Sequence, residues 1–287
     1  SAQYTQVRLF QHPNGENRGA GASRNMGMRA ARFSWLAFLD ADDYFLPNRF
    51  IADSQVIASH PECGGVYNAV EMHVENPEAR ERWDAAGKSP NHIQAVTEEI
   101  PPEKLAEALL DGSAGYFHID AFTLNKAVLA ESGLMREDLR LHQDTEFILR
   151  TAMCASLLPA SRNEPVARWR VHSQNRISAP RSQVRKLDDR LRMWEALYNW
   201  CAIKGKDYYQ PKIMNVMVGN VMNKARFERK IGGKLRRRAT RLGLIATWFV
   251  RRPEYWLDKN FWNAFCVQSG CRRDPKTGMV ETEKELN

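Results

Sequence analysis

Residues 19–43 read GAGASRNMGMRAARFSWLAFLDADD, and the end of this stretch constrains the fold more than any other part of the chain. An apolar run, Trp35-Leu36-Ala37-Phe38-Leu39, delivers Asp40, Asp42 and Asp43 to one point. Such a run reads as a buried strand, which requires a sheet covered by other layers. Carboxylates at the end of a buried strand are costly unless a cation meets them. A divalent ion that also carries phosphates is the common solution. Residues i and i+2 at a strand end face the same way, so Asp40 and Asp42 can address one cation with Ala41 turned aside. The competing reading is a solvated acidic turn ahead of the helix that starts near Pro47. Asp43 is the member of the three best suited to a structural role.

Around this run, residues 1 to about 180 mix short apolar segments with helical ones, the α/β pattern. Strands are expected at Val7–Phe10, Ser34–Leu39, Gly65–Val74, Phe117–Leu124 and Pro165–Val171. Helices are expected at Ser23–Ala31, Pro47–His60, Pro102–Leu110, Asn125–Ser132 and Asp144–Ala155. His12–Gly21 is rich in Gly, Asn and Pro and reads as a loop; Asn76–Pro101 is polar and reads as a loop or short helix. From Ser182 to Phe265 the pattern is helical throughout: Val184, Leu187, Leu191, Trp194 and Tyr198 recur every three or four residues, and Leu235, Ala239, Leu242, Ala246 and Phe249 do the same. The division expected is therefore an α/β domain over 1–180 and a helical region over 181–287.

Charge is concentrated in the second region. Between Lys224 and Arg252 stand eleven Lys/Arg and one Glu, which more than accounts for the formal +8 of the 287-residue chain. Cationic positions beside an apolar stripe, with Trp248 and Phe249 among them, suit a helix lying on an anionic membrane surface. They equally suit a core-packed helix with a solvated basic face. No nucleic-acid-binding motif accompanies the charge, and no nucleic-acid partner is expected. No window approaches the roughly 20 apolar residues of a membrane span. Five scattered cysteines without paired spacing argue against a disulfide framework and against zinc, and favour a reducing, cytoplasmic setting. The chain opens at Ser1 with neither an initiator Met nor a signal-peptide pattern and is read as a fragment of a longer protein.

Two further motifs carry polar chemistry. Gly133-Leu134-Met135-Arg136-Glu137-Asp138 is followed by Leu141-His142-Gln143-Asp144-Thr145-Glu146 and a helix reaching Arg150. A carboxylate near a helix N-terminus stays ionised and can accept a proton; it can also be no more than an N-cap. Trp169-Arg170-Val171-His172, with Arg176 and Ser178 soon after, ends the last expected strand. Its arginines suit phosphate, while His172 is either a metal or diphosphate ligand or a loop histidine bonded to backbone.

The order of these elements resembles the family 2 glycosyltransferases of the GT-A fold. The resemblance is carried by Gly19, Gly21, Ser23-Arg24-Asn25-Met26-Gly27 and Phe38-Leu39-Asp40-Ala41-Asp42-Asp43, and continues through the Asp144 and His172 motifs. It implies a Rossmann-like, nucleotide-diphospho-sugar transferase mixed sheet flanked by helices, with an all-helical C-terminal appendage. It implies inverting, metal-dependent sugar transfer from a nucleotide-diphosphate sugar to a glycan or lipid-linked acceptor. The setting would be surface-polysaccharide or glycolipid synthesis, cytoplasmic or peripheral on the inner face of the cell membrane.

By that resemblance Asp42 binds Mg²⁺ or Mn²⁺, with Asp40 as a second ligand or at the ribose and His172 as a third candidate. Arg24, Asn25, Arg170 and Arg176 face the donor and its diphosphate, although Asn25 could instead hold the loop and Arg24 could instead form a surface ion pair with Asp40 or Asp43. Asp144 is the catalytic base. Gln143 departs from the pattern, which has Glu there; Glu146, two positions after Asp144, could partly substitute, though on a helix it points elsewhere. The family's first strand and its nucleotide-base contacts are expected ahead of residue 1, on about 50 to 80 residues. Two other classes stay open: a nucleotidyltransferase, and a non-catalytic binding module on the same scaffold.

Overall fold

The computed structural model describes residues 6–85, 92–171, 183–227, 250, 252–269, 272–273 and 280–281. The chain divides into two compact units, Ser1–Pro180 and Arg181–Asn287.

The first unit opens on extended chain. Val7 and Leu9 are exposed, and the strand expected at Val7–Phe10 is absent, because no strand among the described residues pairs with it. Helix α1 (Gly19–Ala30) begins four residues ahead of Ser23. The Asn17 side-chain Oδ1 accepts the Gly19 N–H at 3.1 Å, which satisfies a first-turn amide and makes the early start possible. Strand β1 (Trp35–Ala37) follows. It is not fully buried: Leu36 and Phe38 point inward while Ala37 and Leu39 are exposed. That alternation fits its place at the edge of a sheet.

The remaining elements are β2 (Tyr44–Phe45), α2 (Ile51–Ser59), β3 (Gly65–Tyr67), β4 (Ala69–Val74), α3 (Pro77–Ala85), β5 (Ile93–Gln94), α4 (Pro102–Asp111), β6 (Phe122–Asn125), α5 (Leu129–Ser132), α6 (Gln143–Cys154), β7 (Leu157–Pro159) and β8 (Pro165–Val171). Two mixed four-stranded sheets result, ordered β1-β6-β3-β7 and β2-β8-β4-β5. In the first, β6 runs antiparallel to both β1 and β3, and β3 is parallel to β7. In the second, β4 and β8 are parallel and β2 and β5 antiparallel to them. The α/β class expected from the sequence is therefore present, with helices against mixed sheets.

Among the described residues the chain crosses between the sheets five times, and two of these crossings bear on the site. The strand expected over Gly65–Val74 breaks at Asn68, whose N–H reaches the Ala121 carbonyl at 3.0 Å and whose side chain bonds Asp53 and the Ser161 N–H. The other crossing, from Phe38 to Tyr44, carries the aspartates. The expected strand at Phe117–Leu124 starts only at Phe122, because the His118 side chain caps a 3₁₀ turn over Ile119–Ala121. Buried aromatics tie the layers together: Tyr67 stacks on Phe117 with centroids 4.8 Å apart, and Phe38 meets Phe147 edge-on at 6.2 Å. Burying each such side chain contributes about 1.5–3 kcal/mol.

A polar hub sits beneath the aspartate crossing. Arg49, 1% exposed, donates from Nη1 to Asp53 at 2.6 Å, from Nη2 to Thr123 at 3.2 Å and from Nε to the Asp120 carbonyl at 3.0 Å. Every guanidinium nitrogen is thus spent on holding α2 and the 119–121 turn to the sheet.

The second unit contains α7 (Gln183–Ile203), α8 (Gln210–Phe227) and α9 (Lys259–Ser269). Helix α8 packs against both others, burying Leu197, Ile213, Met214, Met217 and Phe261 completely or nearly so. The helix expected over Leu235–Phe249, and most of Lys224–Arg252, lie outside the described residues. No helix among the described residues is long and apolar enough to cross a membrane.

Candidate active site

A pocket of about 120 Å³ opens where the aspartate crossing meets the start of α6. Arg24, Asp40 and Asp42 line it from one part of the chain, and Gln143 and Asp144 from a part 100 residues later. Asp43, His118, Arg140, His142 and Trp169 complete the polar and aromatic lining.

Arg24 lies on the inner face of α1 and donates from Nη2 to Asp40 Oδ1. The ion pair considered from the sequence is therefore real. It is not a surface pair, however, since the Arg24 side chain is only 13% exposed. Nη1 is buried with no hydrogen-bond partner. Burial works against the guanidinium's charge, but Asp40 and Asp144 outweigh it and hold the pKa above its ordinary value. For Asp40 burial prevails over Arg24, and its carboxyl is pushed upward.

Asn25, the neighbouring residue, is 1% exposed and does not line the pocket. It donates to the Met135 carbonyl at 2.8 Å and accepts the Met135 N–H at 2.9 Å, with a further bond to Glu137 at 3.0 Å. Its amide is thus consumed in holding the loop after Gly133 and is not free for a nucleotide. Gly21 acts at the same seam. A Cβ there would stand 2.8 Å from the Arg136 carbonyl oxygen, so its bareness serves backbone packing within the protein.

Asp144 is the second residue of α6, and the N-cap is His142. Capping therefore does not account for Asp144. One of its oxygens accepts the Thr145 N–H at 2.8 Å, and the side chain is partly exposed to the pocket. His142 holds a left-handed conformation, φ 62°, which His tolerates better than most residues. Gln143 is 8% exposed, and its Oε1 is buried without a hydrogen-bond partner. Glu146 cannot stand in for an acid at that position. It is wholly buried and spends both oxygens on Arg150, at 2.7 and 2.8 Å. Arg150 in turn donates to the Ser132 and Leu134 carbonyls, so the pair clamps the Gly133 turn onto α6.

Arg170 does not line the pocket; its Nε lies 2.7 Å from Glu75. Its contribution at the site is its backbone N–H, which donates to Asp43 Oδ1 at 2.8 Å. His172 and Arg176 lie outside the described residues. Arg252, at the end of the basic segment, pairs with Glu195 at 2.7 Å.

His118 and Asp120 were not singled out in the sequence. With Asp43 they form a group of three metal-capable side chains whose ligand atoms lie within 4.8 Å of one another, and it is the only such group among the described residues. Asp120 Oδ1 accepts the Asp40 N–H at 3.0 Å, and Oδ2 lies 3.4 Å from His118 Nδ1. The imidazole is stacked on Trp169, centroids 5.6 Å apart and planes 15° from parallel. Burial and the adjoining Asp120 push the Asp43 carboxyl up to about 8. Asp120, despite its burial, is held below the ordinary carboxylate range by His118. The spacing His-x-Asp just ahead of an apolar strand was the available signal, and it is too short to stand out alone.

Residues 2–132 match the model of glycosyl transferase family 2. An uncharacterized glycosyltransferase of Haemophilus influenzae is 27% identical over 182 residues, which covers 62% of this chain and 56% of that protein. The match thus spans little more than half the length of that relative. Among solved structures, that of S. aureus TarS 1–349 covers 95% of this chain and 79% of its own, at 13% identity and a TM-score of 0.45. The TarS 1–349 structure in complex with UDP-GlcNAc gives 13% identity and a TM-score of 0.47, covering 95% and 80%. The family match spans α1 and the Asp40–Asp43 crossing, which build one side of the pocket, and over those residues the chain is similar to glycosyl transferase family 2.

Proposed function

We propose that this chain carries out inverting sugar transfer from a nucleotide-diphosphate sugar to a hydroxyl acceptor, with the pocket as its active site. The observation that carries this reading is Arg24. One guanidinium nitrogen is held by Asp40, and the other is buried without a hydrogen-bond partner in a pocket that Asp42 and Asp144 also line. A buried, unpaired cationic donor calls for an anionic ligand, and a diphosphate supplies one. Gln143 Oε1 is a second unspent polar atom in the same lining and suits a sugar hydroxyl or N–H.

In this reading Asp144 takes the proton of the acceptor hydroxyl as its oxygen bonds to the anomeric carbon. The bond from that carbon to the diphosphate breaks on the opposite face, and the leaving group departs with the electron pair towards Arg24. A bound Mg²⁺ or Mn²⁺ would neutralise the diphosphate. Asp42 presents a carboxylate to the pocket for that ion, while Asp40, tied to Arg24, acts from behind. Surface-polysaccharide or glycolipid acceptors at the cytoplasmic membrane face remain the proposed setting.

The test is release of nucleoside diphosphate from a panel of nucleotide sugars, with Mn²⁺ or with EDTA, and NMR of the product's anomeric centre. The expected result is Mn²⁺-dependent transfer with inversion, lost in Asp144→Asn while nucleotide binding persists. Nucleotide binding with no turnover under any condition would favour a binding module instead.

A further inference from the structure

We propose that Asp43, His118 and Asp120 form a binding site for a borderline transition dication, Mn²⁺ or Zn²⁺, distinct from the carboxylate that Asp42 presents to the pocket. The two acids are pre-aimed by backbone. Asp43 Oδ1 is fixed by the Arg170 N–H at 2.8 Å and Asp120 Oδ1 by the Asp40 N–H at 3.0 Å, which leaves one oxygen of each for a ligand. Asp120 is 0% exposed, yet its Oδ2 makes no hydrogen bond. A carboxylate oxygen in that position is costly unless something cationic meets it. His118 Nδ1 stands 3.4 Å away and receives only a long contact from the Asp120 N–H, also 3.4 Å.

The donor set selects the ion. Two carboxylate oxygens and one imidazole suit Mn²⁺ or Zn²⁺, whereas Mg²⁺ and Ca²⁺ favour all-oxygen surroundings. Ligand atoms about 2.1 Å from an ion stand about 3 Å apart when adjacent and about 4 Å when opposite. The three ligand atoms, all within 4.8 Å of one another, close to that with small side-chain adjustments. Through Asp120, such an ion would stiffen the backbone at Asp40, and it would open towards the pocket that Asp43 and His118 line. A proton shared within the cluster is the competing occupant.

The experiment is titration of the full 287-residue chain with Mn²⁺, followed by the EPR signal of the free ion, with electron spin-echo modulation of the bound ion. One strong site with imidazole-nitrogen modulation is expected. Its affinity should fall about tenfold or more in His118→Gln and in Asp43→Asn, survive in Asp42→Asn, and resist an excess of Mg²⁺. Binding lost in Asp42→Asn but kept in His118→Gln would overturn the site. So would absence of binding by a chain whose circular dichroism and melting are native. None of these readouts involves sugar transfer, so failure here is distinguishable from failure of the proposed reaction.

Discussion

Asn25 and Met135, 110 positions apart, exchange a pair of hydrogen bonds that binds α1 to the loop ahead of α6. Both faces of the pocket hang on this seam, since Arg24 precedes one partner and Gln143 and Asp144 follow the other. Asn25→Ala would leave the Met135 N–H and carbonyl buried and unpaired. At about 1–3 kcal/mol for each unsatisfied group, the expected loss is about 2–6 kcal/mol. That lowers the melting temperature by about 5–20 °C in a domain of this size. Nucleotide affinity per folded molecule, measured by calorimetry well below the transition, should hold. Weakened affinity with a native melting temperature would return Asn25 to the donor site.

Glu146 and Arg150 make the second test of structure against chemistry. Both side chains are almost entirely buried and fully matched. Removing one partner from such a pair typically costs about 3–5 kcal/mol, because the other charge is left stranded. Glu146→Gln should therefore drop the melting temperature by about 10 °C, while transfer per folded molecule at low temperature stays near wild type. A large loss of turnover at unchanged stability would make Glu146 an active-site acid after all.

These two seams show where the sequence was legible. Trp35–Asp43 announced a strand delivering acids, and Asp40 and Asp42 do line one pocket. Arg24 and Asp144 line it too, and it is the resemblance to a known family, not a local period, that points to them. What local pattern could not tell was which polar residues are spent on the protein itself. Arg170 reads outward, Asn25 reads as either a loop or a nucleotide contact, and Glu146 reads as a partial substitute at best, yet each has a partner set by long-range packing or by burial of its helix face. His118 and Asp120 were missed for the converse reason: they sit at the head of an apolar strand and matter only because Asp43, far away in sequence, folds against them. The strand expected at Val7–Phe10 failed on pairing, since apolar alternation supplies the pattern of a strand without its neighbour.

Gly21 and Gly27 occupy the same helix and predict opposite outcomes. A Cβ on Gly21 would press on the Arg136 carbonyl at 2.8 Å and the Gln143 Cγ at 3.5 Å, whereas one on Gly27 meets nothing within 4 Å. Gly27→Ala should stabilise by about 0.5–1 kcal/mol through helix propensity and chain entropy. Gly21→Ala should destabilise by about 1–3 kcal/mol through overpacking and should disturb transfer by displacing Gln143. Thermal melts of the two variants side by side decide the matter. Equal gains in both would mean that the α1 seam yields more easily than its contacts indicate.

Arg24 offers the sharpest test of the pocket. With Nη2 on Asp40 and Nη1 unspent, it can brace the acid and meet a diphosphate at once, a division that needs the planar fork of a guanidinium. Arg24→Ala should weaken binding of a nucleoside diphosphate in Mn²⁺ by about 30–100-fold, the loss of one charged hydrogen bond of about 2–3 kcal/mol. Arg24→Lys should recover only part of this, because a single ammonium cannot serve both partners in that geometry. Calorimetry with the nucleoside diphosphate alone isolates the effect from the acceptor and from chemistry. Wild-type affinity in Arg24→Ala would leave the buried Nη1 without a ligand and would remove the main support for reading this pocket as a donor site.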